Sequence, residues 1–266
     1  MSKFVKSALI LILGMFLLNG MASATYINPL GEWSSSTDLS LQGLLDSVTV
    51  PGPSSSIDAS GIDNDALLDS ADSLWSVAAS GTSSQTIFFE IAGYNDQNAF
   101  GIYDAADFNN RIEIFSGPDA PGISLGGRNS ISITGTGSVY VGGFGPGDSA
   151  GSFAGNLFGF YLQGPGGVFF SDSSLNADFA DQMVAFQGVN DLIQHPVDLN
   201  SGLWTPDEYM LAWEDLPLLR SDYDYNDFVV LVESVNPIPE PATMLLLGSG
   251  MIGLTGLWRR KFFKKP

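Results

Sequence analysis

Glu214 and Asp215, followed one loop later by Asp222, Asp224, Asn226 and Asp227, put six oxygen-bearing side chains into fourteen residues. Oxygen ligands at that density suit a hard cation, since Ca2+ takes six to eight of them at about 2.3–2.6 Å. Asp222, Asp224 and Asn226 alternate, so in extended or looped backbone their oxygens converge on one side. Glu214, Asp215 and Asp227 stand close enough in sequence to complete the shell. The six are therefore expected as ligands of a structural Ca2+. Counted from Asp222, Glu233 falls at position twelve, as in an EF-hand loop. However, position six holds Asp227 instead of glycine and Val229–Val232 reads as strand, so an EF-hand is rejected. A solvated hairpin edge, with Asx side chains bonding local backbone, is the competing reading.

Other chemistries find less support. Gly122-Ile123-Ser124-Leu125-Gly126 and Gly147-Asp148-Ser149-Ala150-Gly151 both fit G-x-S-x-G, but neither serine lies between a strand and a helix, as a nucleophile elbow requires. His195 is the only histidine, and before Pro196 it reads as a loop residue. A carboxylate pair for glycoside hydrolysis cannot be singled out from spacing. Tyr223 and Tyr225 flank the acidic residues, either as packing groups or as a sugar-stacking platform. No catalytic residue is assigned, and the protein is expected not to be an enzyme.

The elements that must position the acidic loop are short. Strands are expected near 86–92, 99–103, 111–115, 130–134, 138–141, 157–162, 167–170, 182–186, 209–213 and 228–233, separated by Gly, Asn, Asp and Pro. This spacing predicts a mainly β chain, an antiparallel β-sandwich or jelly-roll over residues 85–236. Residues 25–84 are rich in Ser, Gly and Pro, with one short helix expected over Asp63–Val77.

Both chain ends carry signals. Lys3 and Lys6, the apolar stretch Ala8–Leu18 and Ala22-Ser23-Ala24 make a secretory signal peptide over residues 1–24, implying passage through the Sec translocation machinery. At the other end stand Pro239-Glu240-Pro241, an apolar run from Ala242 to Trp258, and then Arg259, Arg260 and Lys261. As a helix the run spans roughly 25 Å, enough for a short transmembrane segment with its cations on the cytoplasmic side. This three-part tail over 237–266 resembles the PEP-CTERM signal of Gram-negative bacteria. The resemblance implies cleavage by an exosortase-type membrane protease after transient anchoring in the inner membrane, then release or transfer to the cell surface.

Without these ends the charge balance becomes extreme. Only Glu240 of 29 acids lies in the tail, whereas seven of ten bases lie in leader or tail, leaving 28 acids against Arg111, Arg128 and Arg220. Such a surface repels nucleic acid, so no nucleic-acid partner is expected. There is no cysteine, so packing or bound metal must hold the exported body together.

Glu214-Asp215-Leu216 with Ser221 through Val229, and upstream Asn98 through Asp104, resemble segments of the domain-of-unknown-function family 4114, over roughly residues 85–235. The resemblance implies an exported, β-rich body and no particular activity. The expectation is a structural or adhesive protein of the cell envelope or the secreted matrix, associated with exopolysaccharide. A carbohydrate-binding module and a polysaccharide hydrolase or lyase are the alternatives.

Overall fold

Period-two alternation builds the centre of the molecule. The computed structural model describes residues 25–29, 39–52, 54–62, 64–78, 81–90, 97–122, 125–142 and 147–239. Its strands are β1 (Leu74–Val77), β2 (Ser83–Glu90), β3 (Ala99–Asp104), β4 (Asp107–Phe115), β5 (Arg128–Ile133), β6 (Ser138–Val141), β7 (Asp148–Ser152) and β8 (Leu157–Gly164). They continue as β9 (Gly167–Phe170), β10 (Met183–Gln187), β11 (Asp191–Gln194), β12 (Ser201–Trp204), β13 (Glu208–Trp213), β14 (Phe228–Glu233) and β15 (Val235–Ile238). Two α-helices are described, α1 (Leu41–Val48) and the single turn α2 (Asp69–Asp72), with two short 3-10 turns at Ser173–Leu175 and Ala177–Phe179.

Every pairing between these strands is antiparallel. One sheet runs β15-β1-β8-β3-β4 with β9 on the far half of β8, and a larger one runs β10-β13-β14-β2-β5-β6-β7; β11 and β12 form a separate pair. The two large sheets share one apolar core. Phe100, Ile102, Phe158, Phe160 and Leu162 enter it from the first, and Leu211, Trp213, Phe228, Val230 and Val232 from the second.

In β10, β13 and β14 the alternate residues are apolar too. Val184, Phe186, Met210, Ala212, Val229 and Leu231 point to the other face, against Leu41, Leu44, Leu45 and Val48 of α1 and against Ile27 and Ile57. A strand covered on both faces reads as an unbroken apolar run, as Phe228–Val232 does. The N-terminal segment is thus the second cover of the sheet that carries the acidic loop.

The expected helix over Asp63–Val77 is corrected. Only the turn Asp69–Asp72 is helical, and Leu74–Val77 is a strand that pairs with both β15 and β8. Trp75 is buried edge-on against Phe160 and Tyr209, with ring centroids at 5.7 and 5.0 Å. A short apolar run carries no period that separates the two states, so strand pairing decided it. The helix is instead α1, capped by Ser40, whose Oγ accepts from the amide of Gly43 at 3.3 Å. Its buried positions 41, 44, 45 and 48 follow helical spacing. Strands β7, β11, β12 and β15 are also additional to those expected.

Residues 1–24, Asp63 and the apolar run 242–258 lie outside the described residues. Among the described residues no helix is long and apolar enough to cross a membrane.

Candidate metal centre

β13 and β14 are neighbours in the larger sheet, with Trp213 paired to Phe228, so residues 214–227 leave and return at one point of its edge. A hairpin connection of this length has room for a site. Tyr223 and Tyr225 hold φ of 65° and 54°, left-handed conformations that bulky side chains seldom adopt. The chain through Asp224 therefore coils and does not run as a strand edge. Ligand oxygens of Glu214, Asp222 and Asp224 lie within 4.8 Å of one another.

Glu214 and Asp224 are fully buried and Asp222 partly so. Glu214 Oε1 accepts from the amide of Tyr225 at 2.8 Å, while Oε2 is buried without a hydrogen-bond partner. Asn226 donates through Nδ2 to Asp224 Oδ2 at 2.6 Å and to the carbonyl oxygen of Leu39 at 3.0 Å. Two acceptors fix its amide orientation, so Oδ1 is the atom left buried without a partner. Burial, followed by repulsion from Asp224 and Asp222, pushes the Glu214 carboxyl up to about 8, against the easing effect of the Tyr225 amide. Three carboxylates with converging oxygens, together with the unsatisfied acceptors Glu214 Oε2 and Asn226 Oδ1, form a donor set that a hard cation fits.

The six expected ligands divide. Glu214, Asp222 and Asp224 converge, and Asn226 joins them through its bond to Asp224. Asp215 and Asp227 form a pair of their own beside them: the Asp215 amide donates to Asp227 Oδ2 at 2.9 Å, and Asn98 Nδ2 donates to Asp215 Oδ2 at 3.2 Å. Burial above all, then repulsion from Glu214 and Asp215, raises the Asp227 carboxyl.

Residues 149–235 match the family model described as Domain of unknown function (DUF4114). Residues 237–261 match the PEP-CTERM protein-sorting motif. The sorting motif implies an exported protein of the cell envelope or the secreted fraction, processed by an exosortase. The DUF4114 match runs from β7 to the start of β15 and includes the whole acidic loop. It stops short of Asn98–Asp104, although the side chain of Asn98 reaches the loop. Neither a curated protein nor a solved structure matches the chain. Pro239 is exposed at the end of β15, at the edge of the first sheet. Glu240, Pro241, Arg259, Arg260 and Lys261 lie outside the described residues.

Positioning groups for the loop come from distant parts of the chain. Asn28 holds the loop twice, its amide donating to the Tyr223 carbonyl at 2.7 Å and its side chain to the Asp222 carbonyl at 3.0 Å. Gln182 receives the Glu214 amide on its carbonyl oxygen at 3.1 Å and donates to the Leu216 carbonyl at 2.8 Å. No local pattern announces these partners.

The remaining candidates take structural places. His195 is buried. Its Nε2 lies 2.9 Å from the Ile87 carbonyl, which only a protonated nitrogen can approach, and Nδ1 accepts from the amides of Val197 and Asp198 at 3.2 Å each. Ser149 lies exposed in the edge strand β7, with no helix behind it, and Ser124 is outside the described residues. Tyr225 is 0 % exposed and Tyr223 36 %, so the two do not form a stacking platform.

Proposed function

We propose that this chain is a cell-surface or extracellular-matrix protein of a Gram-negative bacterium, structural or adhesive and non-enzymatic. Its β-sandwich body would be stiffened by Ca2+ held between Glu214, Asp222 and Asp224. Asn226 Oδ1 would complete the protein's share of the shell. The observation that carries this reading is the pair of buried, unpartnered oxygens, Glu214 Oε2 and Asn226 Oδ1, beside the converging carboxylates of Glu214, Asp222 and Asp224.

A chain without disulfides gains from such an ion, because a ligand that binds only the folded state stabilises it by mass action. Asp222 is the least buried of the three, which leaves a rim where an acidic exopolysaccharide could add oxygens to the same ion. The full engagement of His195 within its own turn and with Ile87 supports the non-enzymatic reading.

The test is thermal unfolding in EDTA and in rising Ca2+, for the wild type, Asp222→Ala and Asp224→Ala. At a hundredfold excess over Kd the wild type should gain about 2.7 kcal/mol. Both variants should lose that gain. A wild type indifferent to Ca2+ would leave the loop as a solvated acidic edge.

A further inference from the structure

The outer face of the larger sheet carries a cleft at the opposite end of β13 and β14 from the acidic loop. Strand register places its charged groups. Glu208 on β13 is the direct partner of Glu233 on β14, which in turn is paired with Ser84 on β2. Two residues along, Leu231, Thr86 and Arg128 are partners across β14, β2 and β5. Residues two apart in a strand share a face, so Glu233 stands on the side that Leu231 occupies, with Glu208 and Arg128 on the same side. Arg128 Nε donates to Ser84 Oγ at 3.3 Å, which keeps the guanidinium beyond Glu233 as seen from Glu208.

The β11–β12 hairpin lies over this face and bounds a cavity of about 200 Å³. Phe88 and Leu231 form its apolar floor, and Ile193 and Leu203 line it from the hairpin. Thr86, Asn200 and Ser201 add polar groups to the lining, beside Arg128, Glu208 and Glu233. His195 closes one side with both ring nitrogens already engaged. Leu203 is 56 % exposed, and Ser201 and Gly202 are exposed with it, so the cleft opens to solvent along β12.

We propose that this cleft binds an amino-sugar unit, its ammonium between Glu208 and Glu233 and its ring against Leu203 and Leu231. Like charges directly opposite on a sheet destabilise it, and both of these carboxylates are half-buried as well. Burial raises both carboxyls. Arg128 eases Glu233, whereas Glu208 is eased by the Thr205 amide, which donates to its Oε2 at 2.7 Å, and is raised again by Glu233. Two carboxylates against one guanidinium leave the cleft one positive charge short of balance, which an ammonium supplies. A bare metal ion would leave the apolar floor and walls unused, and an acidic sugar would add a third negative group. A sugar ring suits both halves of the lining, its apolar face on the leucines and its hydroxyls toward Arg128, Thr86 and Ser201. The volume lies below the roughly 300–1,000 Å³ of sites for drug-sized ligands, so the cleft admits one small ring. It shares no residue with the Glu214 loop, and sugar binding here does not depend on metal binding there.

The experiment is calorimetric titration of the full exported protein with glucosamine, N-acetylglucosamine, glucuronate, acetyl-lysine amide with a free side-chain ammonium, and a glucosamine tetramer. Glucosamine should bind at one equivalent. N-acetylglucosamine keeps the ring and loses the charge, so it should bind at least about tenfold more weakly, as loss of a charged hydrogen bond predicts. Glu208→Gln and Glu233→Gln should each weaken glucosamine binding by a similar factor, and Asp222→Asn should leave it unchanged. A tetramer that binds more tightly assigns the unit to a polymer, and equal affinity assigns it to the free sugar; both support the site. Each Gln variant keeps the side chain's shape and removes one of two opposed charges, so without sugar it should melt no lower than the wild type. Should either fail to fold, the acetylated sugar still tests the charge in the wild type. Glucosamine that does not bind, or glucuronate or the lysine derivative binding as tightly as glucosamine, overturns the proposal.

Discussion

The side chain of Asn28 donates to the backbone oxygen of Asp222 at 3.0 Å, across 194 residues of chain. Asn28 is buried, and its own amide holds the next carbonyl of the same loop. The segment that follows the predicted leader is therefore part of the acidic centre's support. Asn28→Ala should cost about 1–3 kcal/mol, the usual penalty for leaving a buried polar group unsatisfied. Urea unfolding would measure it, and the Ca2+ concentration needed for half-maximal stabilisation should rise in the same variant. An unchanged midpoint in both would mean that the N-terminal contact is incidental.

Stability in chelator should fall as pH rises. Glu214 keeps its proton in the fold up to about 8, against an ordinary 4.5, and Asp181 up to about 7, against 3.8; burial is the leading cause for both. In that window the folded state binds more protons than the unfolded one, so the slope of stability with pH is negative. The contribution is complete below the ordinary values and lost through about 7 to 8. Saturating Ca2+ should counter the fall, because a cation binds the ionised carboxylates and competes with protons. Urea titrations at several pH values across that window, with EDTA and with Ca2+, would show both trends. A chelated protein that becomes more stable across the window contradicts the assignment.

Phe100 is the aromatic hinge of the shared core. It stacks on Phe115, Phe160 and Phe228 at centroid distances of 6.2, 5.5 and 5.4 Å and meets Trp213 edge-on at 6.1 Å. Phe100→Ala should destabilise by about 3–5 kcal/mol, through lost burial and the cavity left between the sheets. Its Ca2+ response should persist wherever the variant remains folded. A loss below 1 kcal/mol would show that the two sheets do not depend on each other through this ring.

Deletion of 239–266 removes the sorting motif while leaving β15 intact. The truncated protein should fold with an unchanged melting temperature, yet change its distribution in cell fractionation and lose any tail-processing step seen as a mass change. Identical fractionation and mass for both proteins would exclude processing at this tail.

Much of this protein was legible along the chain. β6, β9 and β14 occupy the residues expected of them, since short β-branched and aromatic runs are a local property and Gly or Asp marks where each begins. The sorting tail and the acidic loop are contiguous, so order and spacing alone announce them. What had to wait for the tertiary structure depends on partners far away in sequence. Leu74–Val77 is a strand because β15 and β8, some 80 to 160 residues later, supply its hydrogen bonds. Ser40 and the apolar positions of α1 carried a readable helix signal, but an eight-residue helix is marginal alone and becomes one by covering β10, β13 and β14. Likewise, spacing offered six equivalent ligands at the loop. Left-handed turns at Tyr223 and Tyr225, burial of Glu214 and the separate Asp215–Asp227 pair distinguish them. Local preference is written in neighbouring residues, whereas the field at a buried carboxylate is set by whatever the fold places beside it.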